Sequence, residues 1–143
     1  DGTRGLVFVG GREKAALHLV DSAGGVLRTL SFTTFLSKCS FAREAAPPPA
    51  QTTTTKPAPQ TTKDYLDCAI PRENPVGPFP DAYEMRLSAT ADNFYRIDAE
   101  TGGVVLLYGD EKLSLDATSV RFVNGRLFFI NRYDRRVYTA VPL

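Results

Sequence analysis

Short apolar runs separated by polar turns cover most of the chain outside its middle. The runs are of strand length and are rich in β-branched and aromatic residues, and glycine or a polar cluster ends most of them, a pattern typical of β-strands. We therefore predict strands over residues 6–9, 17–20, 26–32, 94–97, 104–108, 113–115, 120–123, 127–130 and 136–141. Residues 35–43 and 111–119 fit the pattern least well, and residues 33–40 can also be read as a helical turn. Asn124-Gly125 is the strongest hairpin signal, because a type I′ turn needs positive φ at both central residues.

The middle of the chain has a different composition. Residues 45–63, AAPPPAQTTTTKPAPQTTK, contain almost no large apolar side chains, so they cannot bury enough surface to offset the entropy of ordering. We expect an exposed, extended loop over 44–64 and a second, proline-rich extended connector over 69–82. Threonines beside prolines form a mucin-like composition, which makes them candidates for O-glycosylation in a secreted protein. These candidates are Thr52, Thr53, Thr54, Thr55, Thr61 and Thr62.

Cys39 and Cys68, the only two cysteines, flank the Thr/Pro loop. A disulfide between them would close a loop of about 30 residues and stabilise the fold by roughly 3–4 kcal/mol in the chain-entropy model. The alternative is a pair of buried free thiols in a cytosolic protein. We favour the disulfide. Because disulfides persist in oxidising compartments, we expect an extracellular location, either as a secreted protein or as an ectodomain.

Two internal similarities relate the two ends of the chain. LHLVDSAGGVLRTL (17–30) aligns with FYRIDAETGGVVLL (94–107) after a one-residue gap, and GLVFVGGREKAALHLVD (5–21) matches GRLFFINRYDRRVYTAV (125–141). The shared unit is strand, polar turn, strand, Asp-opened glycine turn, strand. In this turn the aspartate can accept backbone N–H groups and the glycines supply positive φ.

This unit resembles a β-propeller blade of the low-density-lipoprotein-receptor YWTD type. The family's Tyr-Trp-Thr-Asp tetrad corresponds here to Phe128-Phe129-Ile130-Asn131. The resemblance implies blade-like antiparallel sheets and a role in binding.

Length limits what the resemblance can mean. A blade takes roughly 40–45 residues and a propeller at least four blades, so this chain cannot close one alone. It is a fragment of a propeller, a self-contained antiparallel sandwich or barrel, or a domain whose open edges pair with a partner. We favour the second, and predict one all-β domain over residues 1–143. Its antiparallel sheets would form a sandwich or partly open barrel with propeller-blade-like hairpins, interrupted by the Thr/Pro-rich loop at 44–64 and the connector at 69–82.

Charge and candidate catalytic groups argue against several function classes. Lys plus Arg total 17 and Asp plus Glu 16, a net charge of +1, which does not suit a nucleic-acid binder. No apolar run is long enough for a membrane span. His18, the only histidine, lies in an apolar strand, and we interpret it as a strand residue rather than a general base. We read Asp21, Asp98, Asp116 and Asp134 as turn formers, and we predict no catalytic residue, no metal and no cofactor.

Arginines and a tyrosine are concentrated around the last predicted hairpin, where residues 131–135 would form an exposed tip. Arg and Tyr are favoured at protein interfaces, and guanidinium groups can also bind anionic glycans. The alternative interpretation is a solvated turn whose charges do not bind a partner. The candidate binding residues are Arg126, Arg132, Tyr133, Arg135 and Arg136. We expect an extracellular, non-enzymatic protein-binding module for interaction or adhesion, or a receptor ectodomain. Its partner would be another protein, such as a larger receptor or complex, or an anionic glycan. The alternatives are a small-ligand-binding β-barrel and a fragment of a larger β-propeller.

Overall fold

The structure is a computed structural model that describes residues 3–10, 16–45, 62–73 and 81–143. Ten strands make up most of these residues, with one turn of 3₁₀-helix at Leu36–Lys38 and one helical turn, α1, at Asp81–Glu84. The strands are β1 Arg4–Val9, β2 Ala16–Asp21, β3 Val26–Thr29, β4 Cys39–Ala45, β5 Thr62–Pro71, β6 Asp92–Asp98, β7 Val104–Tyr108, β8 Ala117–Val123, β9 Arg126–Asn131 and β10 Arg136–Ala140. The all-β prediction is confirmed.

Most predicted strands are present, and the departures have physical causes. Residues 113–115 form no strand, because this segment turns the chain into β8. The pattern missed β4 and β5, since each is half polar and adjoins the Thr/Pro segment. These two strands extend into both ends of the predicted 44–64 loop, and β5 continues through Pro71 into the predicted connector. The helical turn within 33–40 is confirmed as the 3₁₀ turn.

The strands form three antiparallel sheets in which sequence neighbours pair. The first sheet has the order β1-β2-β3, the middle sheet β4-β5-β6-β7 and the last sheet β8-β9-β10. Each is a meander, the simplest antiparallel connection. The sheets do not close into a barrel over the described residues, and the predicted antiparallel arrangement is confirmed.

The middle sheet lies between the other two. Alternate side chains on β5 and β6 point to opposite faces, so each face of this sheet can pack against one neighbouring sheet. Leu66, Cys68 and Ile97 pack with Leu17 and its neighbours of the first sheet. The opposite face packs against the last sheet. This second core consists of Ala69, Phe94, Leu107, Leu115, Ala117, Val120, Leu127 and Phe129. Arg96 lies on the same face, where it pairs with the buried Asp67 and covers the ring of Phe122 at 4.3 Å.

The repeated turn predicted from the sequence is present after β2 and β6. The Asp21 carboxylate accepts the amides of Ala23 and Gly25, and the Asp98 carboxylate accepts those of Glu100 and Thr101. Gly24 and Gly102 supply the positive φ values of 86° and 76°. The turn-forming roles of Asp21 and Asp98 are therefore confirmed.

The predicted disulfide is confirmed. Cys39 and Cys68 are directly opposite residues of β4 and β5, with Cα atoms 4.2 Å apart, and both side chains are buried in the core shared with the first sheet. The bond therefore joins the two strands that flank the Thr/Pro segment. Among the residues that the structure describes, no helix has the length and apolar character needed to cross a membrane.

Candidate functional site

The tip between β9 and β10 carries most of the predicted binding residues. Tyr133, Arg135 and Arg136 are exposed there, with Tyr133 at 55% of its maximal accessible area. Arg126 is exposed at the opposite end of β9, next to the Asn124-Gly125 turn. The structure therefore brings together the tip residues but places Arg126 away from them.

Arg132 points inward, not out into solvent as the sequence led us to expect. Its guanidinium lies 3.6 Å from the centre of the Tyr83 ring, donates to the Tyr83 carbonyl oxygen at 2.7 Å and pairs with Asp116 at 3.2 Å. Its backbone amide also donates to the Asp116 carbonyl oxygen at 2.7 Å. Arg132 thus fastens the tip to the interior of the protein.

The interior that Arg132 reaches is a buried ion cluster centred on Lys38. The Lys38 side chain is 0% exposed, and its ammonium donates to Asp92 Oδ2 at 2.5 Å, Thr90 Oγ1 at 2.6 Å and Asp116 Oδ1 at 2.9 Å. All three donors of the ammonium group are thereby used. The Tyr83 hydroxyl also donates to Asp116 at 2.9 Å. With Arg132, the cluster contains two cations and two carboxylates, so its formal charge is balanced.

The cluster forms where several strands begin. Lys38 immediately precedes β4, Asp92 starts β6 and Asp116 immediately precedes β8. The amide of Ala117 donates to Asp92 Oδ2 at 2.7 Å, and the amide of Asp92 donates to the Leu115 carbonyl oxygen. These bonds join the middle and last sheets through their polar ends as well as through their apolar faces.

Burial is the largest cause of the pKa shifts of two members of the cluster, Asp92 and Tyr83. It raises the pKa of Asp92 above its ordinary value, although Lys38 acts in the opposite direction. Burial, followed by the negative charge of Asp116, also raises the pKa of Tyr83, so its phenol stays protonated and serves as a donor. Among the residues that the structure describes, one buried oxygen of the cluster, Asp92 Oδ1, has no hydrogen-bond partner.

The tip itself is ordered by further bonds. The Tyr133 hydroxyl contacts the Thr90 carbonyl oxygen at 3.4 Å, and the Asp134 carboxylate accepts the Arg136 amide and the Tyr138 hydroxyl. The bond with Tyr138 lowers the pKa of Asp134 and raises that of Tyr138. Asp134 is a turn former, as predicted.

Arg135 has an unfavourable backbone conformation. Its φ is 60°, and its amide donates to the Asn131 carbonyl oxygen at 2.8 Å, the position that Gly102 occupies in the turn after Asp98. A left-handed conformation costs a non-glycine residue about 1–2 kcal/mol. Such strain at an exposed tip motivates a functional hypothesis for the side chain.

The outer face of the last sheet adjoins this tip and is partly apolar. Val123, Phe128 and Val137 are exposed on the face away from the middle sheet, and Val137 is 71% exposed. Arg126 lies on the same face as Phe128, two residues away along β9. Apolar residues bordered by arginine are typical of protein interfaces.

The other predicted residues have simpler positions. The His18 ring bonds to the Thr29 hydroxyl across β2 and β3, as expected of a strand residue. The reading of Asp116 as a turn former is wrong, because this carboxylate is buried among Lys38, Tyr83, Thr90 and Arg132. Thr52, Thr53, Thr54, Thr55 and Thr61 lie outside the described residues, and Thr62 is the exposed first residue of β5.

No motif pointed to Lys38, Tyr83, Thr90 or Asp92, which come together from three segments of the chain. The one available signal was a single lysine close to Phe35, Leu36 and Cys39, because a charge needs a partner when it is buried. Within the described residues no group of three or more His, Cys, Asp or Glu side chains could hold a metal ion. The Lys38 ammonium occupies the position between the two carboxylates.

Comparison with protein-family models gives no match, and comparisons with curated proteins and with solved structures give no significant match either.

Proposed function

We propose that this protein is an extracellular, non-enzymatic protein-binding module that contacts its partner through the β9–β10 tip and the adjoining outer face of the last sheet. The observation that carries the proposal is the structure of the tip. Tyr133, Arg135 and Arg136 are exposed, while Arg132 fixes their base to a buried ion cluster.

Hydrogen bonds hold the backbone of the tip, which favours binding because less loop entropy remains to be lost on association. Tyrosine and arginine supply contact area and directed hydrogen bonds. The arginine at a left-handed position supports the same reading, since glycine would be the more stable choice there. The exposed Phe128 and Val137 would add apolar contact beside the charged tip.

An extracellular location is the second part of the proposal. The Cys39–Cys68 disulfide supports it, because such bonds persist in oxidising compartments. The mucin-like composition of residues 45–63 is a further supporting feature.

The binding hypothesis can be tested with a fluorescent tetramer of the full chain against a cell-displayed library of ectodomains. A supporting result is a binder whose signal falls at least tenfold with the double variant Arg135→Gly/Arg136→Ser. The matched control is Arg43→Ala/Lys63→Ala. It also removes two positive charges, from the ends of β4 and β5 that adjoin the Thr/Pro segment. Loss of binding with both variants, or with neither, would contradict the proposed site.

The resemblance to propeller blades supports a second candidate function, in which the chain is part of a larger β-propeller. Three successive meanders stack face to face here in chain order, the arrangement of neighbouring blades. In that case the exposed Val123, Phe128 and Val137 would pack on a further sheet instead of a partner. Light scattering of the purified chain distinguishes the two, because a binding module should remain monomeric whereas a piece with an uncovered blade face should associate.

A further inference from the structure

We propose that Lys38 and Asp92 become joined by an intramolecular isopeptide bond, formed without another enzyme inside the buried ion cluster. This inference concerns a covalent modification and does not depend on the proposed binding function. It rests on the contact between the two side chains, their burial, the unpartnered carboxylate oxygen and the second carboxylate beside the amine.

The reacting groups are already in contact. Lys38 Nζ lies 2.5 Å from Asp92 Oδ2, and both side chains are 0% exposed. A nucleophile and an electrophile held in this way gain an effective concentration of about 10⁵–10⁸ M over separate molecules. The cluster therefore holds the lysine nitrogen against the carboxyl group, and this positioning takes the place of prior chemical activation of the carboxyl group.

The surroundings favour the neutral form of Asp92. The Lys38 amine lies 5.0 Å from the centre of the Tyr83 ring, and the Phe35 ring stacks on Tyr83 at 3.7 Å. In an apolar environment, transfer of a proton from the ammonium to a carboxylate removes two buried charges. The raised pKa of Asp92 agrees with a carboxylic acid at this position. The resulting amine is the nucleophilic form of lysine.

Each remaining group has a place in the reaction. The amine nitrogen attacks the Asp92 carboxyl carbon, and Asp116, 2.9 Å from the nitrogen, accepts the proton that the nitrogen loses. Asp92 Oδ2 remains in the product and is stabilised by the Ala117 amide at 2.7 Å, which acts as an oxyanion donor. Asp92 Oδ1, which has no hydrogen-bond partner among the described residues, takes up the proton first transferred from the ammonium and the proton that Asp116 returns, and it leaves as water.

The reaction balances without an oxidant or cofactor. One C–N bond forms, one C–O bond breaks, and the amine and the carboxylic acid yield an amide and one water molecule. The product links the residue before β4 to the first residue of β6. It would stand next to the Cys39–Cys68 disulfide, so that two adjacent cross-links would brace the middle sheet across the Thr/Pro segment.

Intact mass of the full chain, denatured and fully reduced, tests the proposal. We expect a mass lower than that of the sequence by one water molecule. Lys38→Arg keeps the charge but removes the primary amine, and this variant should have the full mass of its sequence. Asp116→Asn should lower the cross-linked fraction at least tenfold, because the proton acceptor is lost.

Peptide mapping locates the bond in the wild-type chain, so the result does not depend on whether a variant folds. Trypsin should fail to cleave after Lys38 and should release a branched peptide made of residues 29–43 and 87–96. A full sequence mass with normal cleavage after Lys38 would overturn the proposal. A branch to residues 113–121, which contain Asp116, would overturn the assignment to Asp92.

Discussion

Arg132 holds Asp116 twice, through its backbone amide at 2.7 Å and through its guanidinium at 3.2 Å. Asp116 in turn accepts from Lys38 and Tyr83. An exposed loop of the last sheet is therefore bonded directly to a buried ion cluster. This connection explains how an arginine-rich hairpin tip can keep a defined shape.

Replacing Lys38 by Met should lower the free energy of unfolding by about 3–5 kcal/mol, because Asp92 and Asp116 would be buried without the partner that Lys38 provides, as an ammonium or as the proposed amide. Urea denaturation followed by circular dichroism measures the change. The matched control is Lys63→Met, since Lys63 pairs with Asp98 but is 39% exposed, and its loss should cost about 1 kcal/mol or less. Equal losses for the two variants would contradict the structural importance of the cluster.

Replacing Arg135 by Gly should raise the free energy of unfolding by about 1 kcal/mol, because glycine adopts the left-handed conformation without steric cost. Thermal denaturation detects this as a higher Tm. The reciprocal variant, Gly102→Ala, should be destabilised, since it adds a Cβ at a φ of 76° that would lie 2.7 Å from the Arg28 side chain. A destabilised Arg135→Gly variant would show that the arginine side chain supports the fold instead.

Removing the disulfide by Cys39→Ala/Cys68→Ala should lower the free energy of unfolding by roughly 3–4 kcal/mol, since the cross-link restricts the unfolded chain over 29 residues of separation. The wild-type protein in reductant should show a comparable loss in urea denaturation. If neither treatment changes the midpoint, the bond is either absent in solution or without effect on stability.

We expect the free energy of unfolding to fall at low pH, in part because Asp98 becomes protonated. Its pKa is lowered, first by the bond from Lys63 and then by the turn amides, so its contribution is complete above the ordinary value of 3.8 and is lost as pH falls below it. Asp98→Asn should therefore show a shallower loss of unfolding free energy between about pH 4 and pH 2. Urea midpoints across this range test the sign, and an unchanged slope would contradict the assignment.

Local patterns predicted much of this fold. Glycine and aspartate marked the turns after β2 and β6, and alternation marked most strands, because both signals lie within a few neighbouring residues. The half-polar strands β4 and β5 escaped detection, since their polar residues are satisfied by partners distant in sequence, such as Arg96 with Asp67 and with Glu44.

The candidate site was less predictable than the fold. Exposed tip residues such as Tyr133 followed from the hairpin pattern. The cluster beneath them did not, because Lys38, Asp92 and Asp116 come together only when the middle and last sheets stack. Arg132 was predicted to bind a partner because of its residue type, whereas its contacts with Tyr83 and Asp116 support the tip from inside the protein.

Photocrosslinking from the tip tests the central claim most directly. A benzoyl-phenylalanine in place of Tyr133 on the full chain would be irradiated together with the binder selected from the displayed ectodomains, with the same group in place of the half-buried Tyr65 as the control. We predict a cross-linked species from position 133 and none from position 65. A binder that cross-links from position 65 and not from position 133 would contradict the assignment of the β9–β10 tip as the binding site.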